Sequence, residues 1–325
     1  MNKDDQSGKG SILLSGASGI LGSALGQALQ QRGAGVVRLV RRAAQSPGEL
    51  SWNPAADSTS GKAIGIETMG RLEGLDAAVH LSGANVSARR WDAAYKREMT
   101  ESRVTSTRVL AEAIARLKRP PKTLVTASAV GFYGDRGEEI LDESSTPGVG
   151  YLAEMCVAWE AATRAAVEPG IRVVHLRFGV VIGPQGGAMG RMMTVFRLGL
   201  GGRLGSGRQW MSWVSEADAV GIALFALGLP GEPGVMGAGT SLEGPVNVAA
   251  PVPVTNAEFT RELGRALHRP AVLPAPAFAL RLVFGEMADE ALLASTRAVP
   301  RRLLEAGYRF RHPTLAEALA AAVAR

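Results

Sequence analysis

Three glycines, Gly16, Gly19 and Gly22, follow an apolar run at 11–15 and open an amphipathic stretch at 20–31. That placement suits recognition of a phosphate chain. Glycine allows a tight turn and a close backbone approach, and the free N–H groups of a helix N-terminus face the anion with a partial positive charge. In a chain with 40 glycines the spacing alone is weak, and a plain strand–helix turn is the alternative. The flanking patterns favour a dinucleotide site. About 20 residues on, NAD sites carry a carboxylate for the adenosine ribose 2′-hydroxyl. Here the chain has Arg41-Arg42 instead. Two guanidiniums would pair with a 2′-phosphate through forked hydrogen bonds, so the expected cofactor is NADP(H) rather than NAD(H). A solvated basic turn is the other reading.

A second cluster is Arg208-Gln-Trp-Met-Ser-Trp213, in a chain with five tryptophans. A base or sugar could stack on Trp210 or Trp213, while Arg208 met a phosphate or carboxylate. The alternative puts one tryptophan in the core and the other at a lobe interface. Met189, Met192 and Met193 have helical spacing and point to core rather than to a ligand.

These residues need elements to position them. Strand patterns at 11–15, 36–40, 77–81, 124–128 and 172–178 alternate with helical patterns at 20–31, 91–117 and 151–166. Such alternation predicts an α/β, Rossmann-type doubly wound parallel sheet. The expected division is a polar tail at 1–10, an NADP-binding core at 11–182, and a smaller substrate-side lobe with a C-terminal segment at 183–325. A strand at 245–250 is expected to return to the core. Helical segments are expected at 189–198, 257–267 and near the end.

With 325 residues, 46% of them hydrophobic and 20% charged, the chain can bury a large core, which excludes disorder and collagen-like repeats. One cysteine, Cys156, excludes an internal disulfide and a cysteine-rich metal site; the four histidines are scattered, so no metal is expected. The tail lacks the apolar core of a signal peptide, and the longest apolar run, 219–229, is shorter than the ~18 residues of a membrane span. We therefore expect a soluble, cytoplasmic protein. The net charge of +6 favours anionic partners. No block of like charges appears and aromatics do not interleave with the basic residues, so nucleic acid is not expected.

Six separated stretches carry a resemblance: SGASGILGSAL (15–25), VHLSGANVSARRW (79–91), SAVGFYGDRG (128–137), LAEMCVAWE (152–160), LRFGVVIGPQGGAM (176–189) and LGSGRQWMSWVSEAD (204–218). The chain resembles the extended short-chain dehydrogenases/reductases. Within them it is similar to the atypical epimerase family labelled nucleoside-diphosphate-sugar epimerase-like or cell-division inhibitor. Residues 274–310 resemble that family's extra C-terminal segment, which has no assigned role. By this resemblance Gly16, Ser18, Gly19, Ile20 and Leu21, with Gly22, would hold the pyrophosphate and Arg41 with Arg42 the 2′-phosphate. Leu81, Ser82, Gly83 and Ala84 would pass along the adenosine side, and Thr126, Ala127 and Ser128 would lie beside the nicotinamide ribose.

The superfamily pairs a Ser or Thr with a Tyr and a Lys four residues apart on one helical face. Ser128 and Tyr151 stand where the first two belong. The fourth position after Tyr151 is Met155, which has no charge and donates no hydrogen bond. Without a cationic neighbour, a phenol of pKa ~10 is only about 0.1% ionised at neutral pH. Tyr133, in a glycine-flanked loop with Asp135 and Arg136, is a second candidate acid, with a loop aromatic covering the core as the alternative. Asp142-Glu143-Ser144 reads as a surface turn and Cys156 as a buried small residue. Two functions follow: an oxidoreductase or epimerase acting on a hydroxyl or carbonyl small molecule, a nucleotide sugar being one candidate, or a non-catalytic NADP(H)-binding redox sensor or scaffold. A homodimer through helices flanking the sheet is expected only by analogy with the fold.

Overall fold

In the computed structural model, which describes residues 10–55, 66–184, 187–229 and 242–324, the first apolar run forms strand β1 (Ser11–Ser15). The glycine loop leads from it into helix α1 (Ile20–Gln31). Of the expected tail, residues 1–9 lie outside the described residues. The chain continues through β2 (Gly35–Val40), β3 (Glu49–Ser51), α2 (Ile66–Leu72), β4 (Ala77–His80) and α3 (Ala93–Ala115). Then come β5 (Thr123–Ala129), a 3-10 turn (Val130–Tyr133), β6 (Ile140–Leu141), α4 (Tyr151–Ala161), α5 (Arg164–Val167) and β7 (Arg172–Phe178).

The second half opens with β8 (Val180–Ile182), α6 (Gly187–Arg197), β9 (Trp210–Met211), β10 (Trp213–Ser215) and α7 (Glu216–Ala226). Next are β11 (Gly244–Val248), β12 (Val254–Thr255), α8 (Asn256–Ala266), α9 (Ala277–Phe284) and a π-helical turn (Ala288–Leu293). β13 (Arg297–Ala298), α10 (Arg301–Glu305) and α11 (Leu315–Val323) end the chain. The helix expected over 91–117 begins later, at Ala93, because the Asp92 carboxylate accepts the Tyr95 N–H at 2.7 Å and caps it.

Seven parallel strands form the central sheet in the order β11-β7-β5-β4-β1-β2-β3. Side chains alternate across it. Ile12 and Leu14 join Leu25, Val79, Leu176 and Phe225 on one face, while Leu13 joins Leu110, Ile114, Leu124 and Val173 on the other. The strand order reverses beside β1, which pairs with β2 and β4. A crevice therefore opens beyond the carboxyl ends of β1 and β4, where open α/β sheets bind their ligands.

The later chain does more for this core than a boundary near 183 suggests. The apolar run at 219–229 is mostly α7, buried at Ala219 and from Ile222 to Ala226, and it shares the first cluster with Leu303 and Tyr308. A helix apolar on every side must be covered on every side. Met189, Met193, Phe196, Trp213, Phe259 and Leu319 form a separate hydrophobic cluster, with both methionines in its interior. No helix among the described residues is long and apolar enough to cross a membrane.

Candidate functional site

The glycine loop is built so that backbone lies against backbone. Gly16 has φ +75°, and a Cβ there would stand 2.7 Å from the Leu81 carbonyl carbon and oxygen. A Cβ on Gly22 would stand 2.1 Å from the Gly16 oxygen. These two positions hold α1 hard against the end of β1. Gly19 caps α1 with no side-chain hydrogen bond, and no acidic residue lies in the first turn. The helix thus presents unclaimed N–H groups beside exposed Ser18, Gly19 and Ile20. An anionic dinucleotide fits this cradle.

The opposite wall follows β4. Ser82 donates to the Ser15 hydroxyl at 3.1 Å, and Ser15 meets His80 Nδ1 at 2.5 Å. His80 Nε2 lies 3.0 Å from the Ser106 hydroxyl, which itself donates to the Ser102 carbonyl at 2.6 Å. This order of donors places the imidazole hydrogen on Nε2. Burial pushes the His80 pKa down to about 4, so the ring is neutral at pH 7. Helix α3 holds the loop beyond: the Ala84 N–H donates to the Ser102 hydroxyl at 3.0 Å, and Arg103 Nη2 donates to the Ala84 carbonyl at 2.9 Å.

The two arginines after β2 differ. Arg42 forks onto Glu49 of β3, Nη2 to Oε1 at 2.7 Å and Nη1 to Oε2 at 2.8 Å, and the hydrogen bonds from Arg42 and from the Gln45 N–H hold that carboxylate at about 2. Arg41 is exposed, and no partner for it is found among the described residues. Of the pair, Arg41 is the one with a free fork.

Beyond β5 the expected site residues are held in buried hydrogen-bond networks. Ser128 is 2% exposed and donates to Glu160 Oε1 of α4 at 2.7 Å. Arg177 of β7 grips the same carboxylate, Nε to Oε1 at 2.7 Å and Nη2 to Oε2 at 2.8 Å. Its Nη1 donates to the Tyr133 hydroxyl at 3.0 Å, and that hydroxyl reaches Asn247 Oδ1 at 2.8 Å and the Asp142 carbonyl at 2.9 Å. Tyr133 is fully buried, so it does not line a cleft, and burial raises its phenol pKa. Thr126 is also buried, its hydroxyl 3.0 Å from His175 Nδ1. Of the three, only Ala127 keeps partial exposure.

Tyr151, the first residue of α4, is half-buried. Its hydroxyl donates to the Lys96 carbonyl at 2.7 Å, 3.1 Å from the Thr100 hydroxyl and 3.6 Å from Met155 Sδ. Burial raises its pKa, so it is a phenol and not a phenolate at neutral pH. Glu290, from the π-helical turn, caps α4 by accepting the N–H groups of Tyr151 and Leu152 at 3.3 and 3.1 Å. Gly150 makes this possible: at φ +105°, a Cβ there would lie 2.4 Å from Glu290 Oε1. Lys96 Nζ sits 4.6 Å above the Tyr151 ring and pairs with Glu286 at 2.8 Å. Burial pushes the Cys156 thiol up to about 12, which leaves it inert.

The tryptophans are also engaged. Trp213 is fully buried and donates to the Val252 carbonyl at 3.0 Å, so it cannot stack on a ligand. Trp210 donates to Glu138 at 2.6 Å, and the Arg297 guanidinium covers one ring face at 4.0 Å. Arg208 remains exposed. Sequence reasoning missed Arg103, Glu160, Arg177, Asn247 and Glu290. Arg103 had a detectable signal: it continues the four-residue spacing of Tyr95 and Met99 along the buried side of its helix.

Residues 12–237 match the NAD dependent epimerase/dehydratase family, and residues 275–322 match a domain of unknown function, DUF1731. The chain belongs to this epimerase family. It is 45% identical over 314 residues to the epimerase family protein Mb2239 of Mycobacterium bovis, covering 97% of this chain and 98% of that protein. The crystal structure of human epimerase family protein SDR39U1 with NADPH superposes at a TM-score of 0.84 and 35% identity, covering 97% of this chain and 99% of that one. A nucleoside-diphosphate sugar epimerase of Corynebacterium glutamicum superposes at 0.74 and 33% identity, covering 97% of this chain and 58% of that one.

Proposed function

We propose that this chain is an NADP(H)-dependent oxidoreductase or epimerase-like enzyme acting on the hydroxyl or carbonyl group of a small molecule. The carrying observation is the glycine cradle with the free guanidinium of Arg41 at the end of the second strand. NADP(H) supplies a hydride donor or acceptor when bound. The chain's own part is to bind the pyrophosphate at Gly16–Gly22, read the 2′-phosphate with Arg41, and offer a protonated phenol at Tyr151 as acid or oxyanion donor. The engaged tryptophans weigh against base stacking in the lobe, so a nucleotide sugar is the less favoured substrate. The test is parallel titration with NADPH and NADH, followed by a carbonyl substrate screen with Tyr151→Phe alongside. Equal affinity for the two cofactors removes the 2′-phosphate reading. Turnover unchanged in Tyr151→Phe removes the acid.

A second reading, a non-catalytic NADP(H)-binding redox sensor, is supported by Met155 and by the Tyr151 hydrogen, which is committed to the Lys96 carbonyl. It predicts that NADPH and NADP⁺ stabilise the fold unequally, and substrate-linked hydride transfer would rule it out.

A further inference from the structure

Two arginines are buried beside the crevice, and they are treated differently. Arg177 has Glu160. Arg103, only 8% exposed, has no carboxylate partner among the described residues. A guanidinium has five N–H groups, and Arg103 uses two: Nη1 donates to the Met99 carbonyl at 3.1 Å and Nη2 to the Ala84 carbonyl at 2.9 Å. Its Nε has no partner at all. Buried charges are ordinarily paired, because leaving one uncompensated is costly.

The surroundings say what is missing. A Cβ on exposed Gly83 would stand 3.1 Å from the Arg103 guanidinium carbon, so glycine leaves that flank uncovered on the ligand loop. On another side the Trp159 ring lies 5.2 Å away. Ser102 and Arg103 hold both backbone groups of Ala84, which fixes loop and guanidinium together before anything binds. Burial lowers the pKa of Arg103, and the ionisable side chains that act on it, Cys156, Tyr151 and Tyr95, include no carboxylate. The cation is set in place, and no anion faces it among the described residues.

We propose that Arg103 is the anion-recognising residue of the crevice, taking an oxyanion group, the carboxylate of a substrate or a phosphate of the cofactor, beside Gly83 and Ala84. This rests on reading the crevice as the cofactor and substrate site. It narrows the substrate class to carbonyl or hydroxyl compounds carrying a carboxylate, unless the cofactor itself supplies the charge. A forked guanidinium suits either oxyanion, whereas an ammonium would supply a point charge without the fork.

The test uses the full-length protein as wild type, Arg103→Lys, Arg103→Gln and Gly83→Val, each checked for folding by circular dichroism. NADPH affinity is read by fluorescence, and succinate, inorganic phosphate and neutral succinamide are compared by thermal shift with and without NADP⁺. A substrate carboxylate predicts that succinate stabilises wild type and succinamide does not. It further predicts that succinate binding weakens about tenfold or more in Arg103→Gln and Gly83→Val while NADPH affinity holds in Arg103→Gln. A cofactor phosphate predicts instead that NADPH affinity itself falls about tenfold in Arg103→Gln. If Arg103→Gln does not fold, Arg103→Lys carries the NADPH comparison and, with Gly83→Val, the succinate comparison. Variants that bind NADPH, succinate and phosphate as wild type does overturn the proposal, as does a wild type stabilised equally by succinate and succinamide together with unchanged NADPH affinity in Arg103→Gln. Loss of NADPH binding already in wild type would instead sink the cofactor reading, leaving the succinate comparison to judge Arg103.

Discussion

Glu160 and Arg177 meet as a two-pronged ion pair inside the protein, with 13% and 3% of their side chains exposed. Burial opposes the charge on Arg177, and the Glu160 carboxylate outweighs it, holding the guanidinium above its usual range. The pair ties α4 to β7 and, through Ser128, Tyr133 and Asn247, to β5 and β11. Ser128 and Tyr133, the sequence's candidates for acid–base work, are both hydrogen-bonded into this network. Removing one partner of such a pair leaves a buried charge, so Glu160→Gln should cost about 3–5 kcal/mol. Replacing both, as Glu160→Met with Arg177→Met, should cost less than the two single changes added together. Urea denaturation of the three variants checks this, and strict additivity would mean the pair is not coupled.

The arginine pair should divide its labour. Arg41→Ala should lower NADPH affinity by about ten- to a hundredfold, the worth of a charge-assisted contact, and leave NADH little changed. Arg42→Ala should do less to NADPH, since its fork is spent on Glu49. Titrating both variants with both nucleotides tests the division. A larger NADPH loss in Arg42→Ala would assign the 2′-phosphate to the wrong arginine.

Gly22→Ala offers a steric test of the cradle. The added methyl would meet the Gly16 oxygen at 2.1 Å, so either α1 or the loop must shift. The expected outcome is loss of NADPH binding with the far-ultraviolet circular dichroism preserved. Unchanged affinity would place the pyrophosphate elsewhere.

His80 makes stability depend on pH in a defined direction. In the folded protein its pKa is about 4, while in the unfolded chain it is near ~6.5. Between these values the unfolded chain holds more protons, so stability falls as pH drops from about 6.5 to about 4 and levels off below. Each pKa unit is worth ~1.4 kcal/mol, which sets the full loss at roughly 3 kcal/mol. Burial lowers His175 in the same direction and adds to it. Denaturant midpoints at about pH 7 and about pH 5 measure the slope. His80→Gln should flatten it, and an unaltered slope would put the transition on other groups.

What the sequence determined by itself was local. The strand–glycine loop–helix unit, the missing acidic residue after β2 and the inward Met189 and Met193 all depend on side-chain type and period along one element. Those properties are carried by neighbouring residues and survive in any fold that uses the element. Tertiary structure decided what depends on distant partners. Glu49 takes Arg42, while Arg41 has no partner among the described residues. Asn247 draws in the Tyr133 hydroxyl from 114 residues away, and Glu290 caps the helix of Tyr151 from 139 residues away. Arg103 and Arg177 show the reason most plainly. Both are buried arginines, yet which one finds a carboxylate depends on the elements that pack against it, and no spacing within one element encodes that.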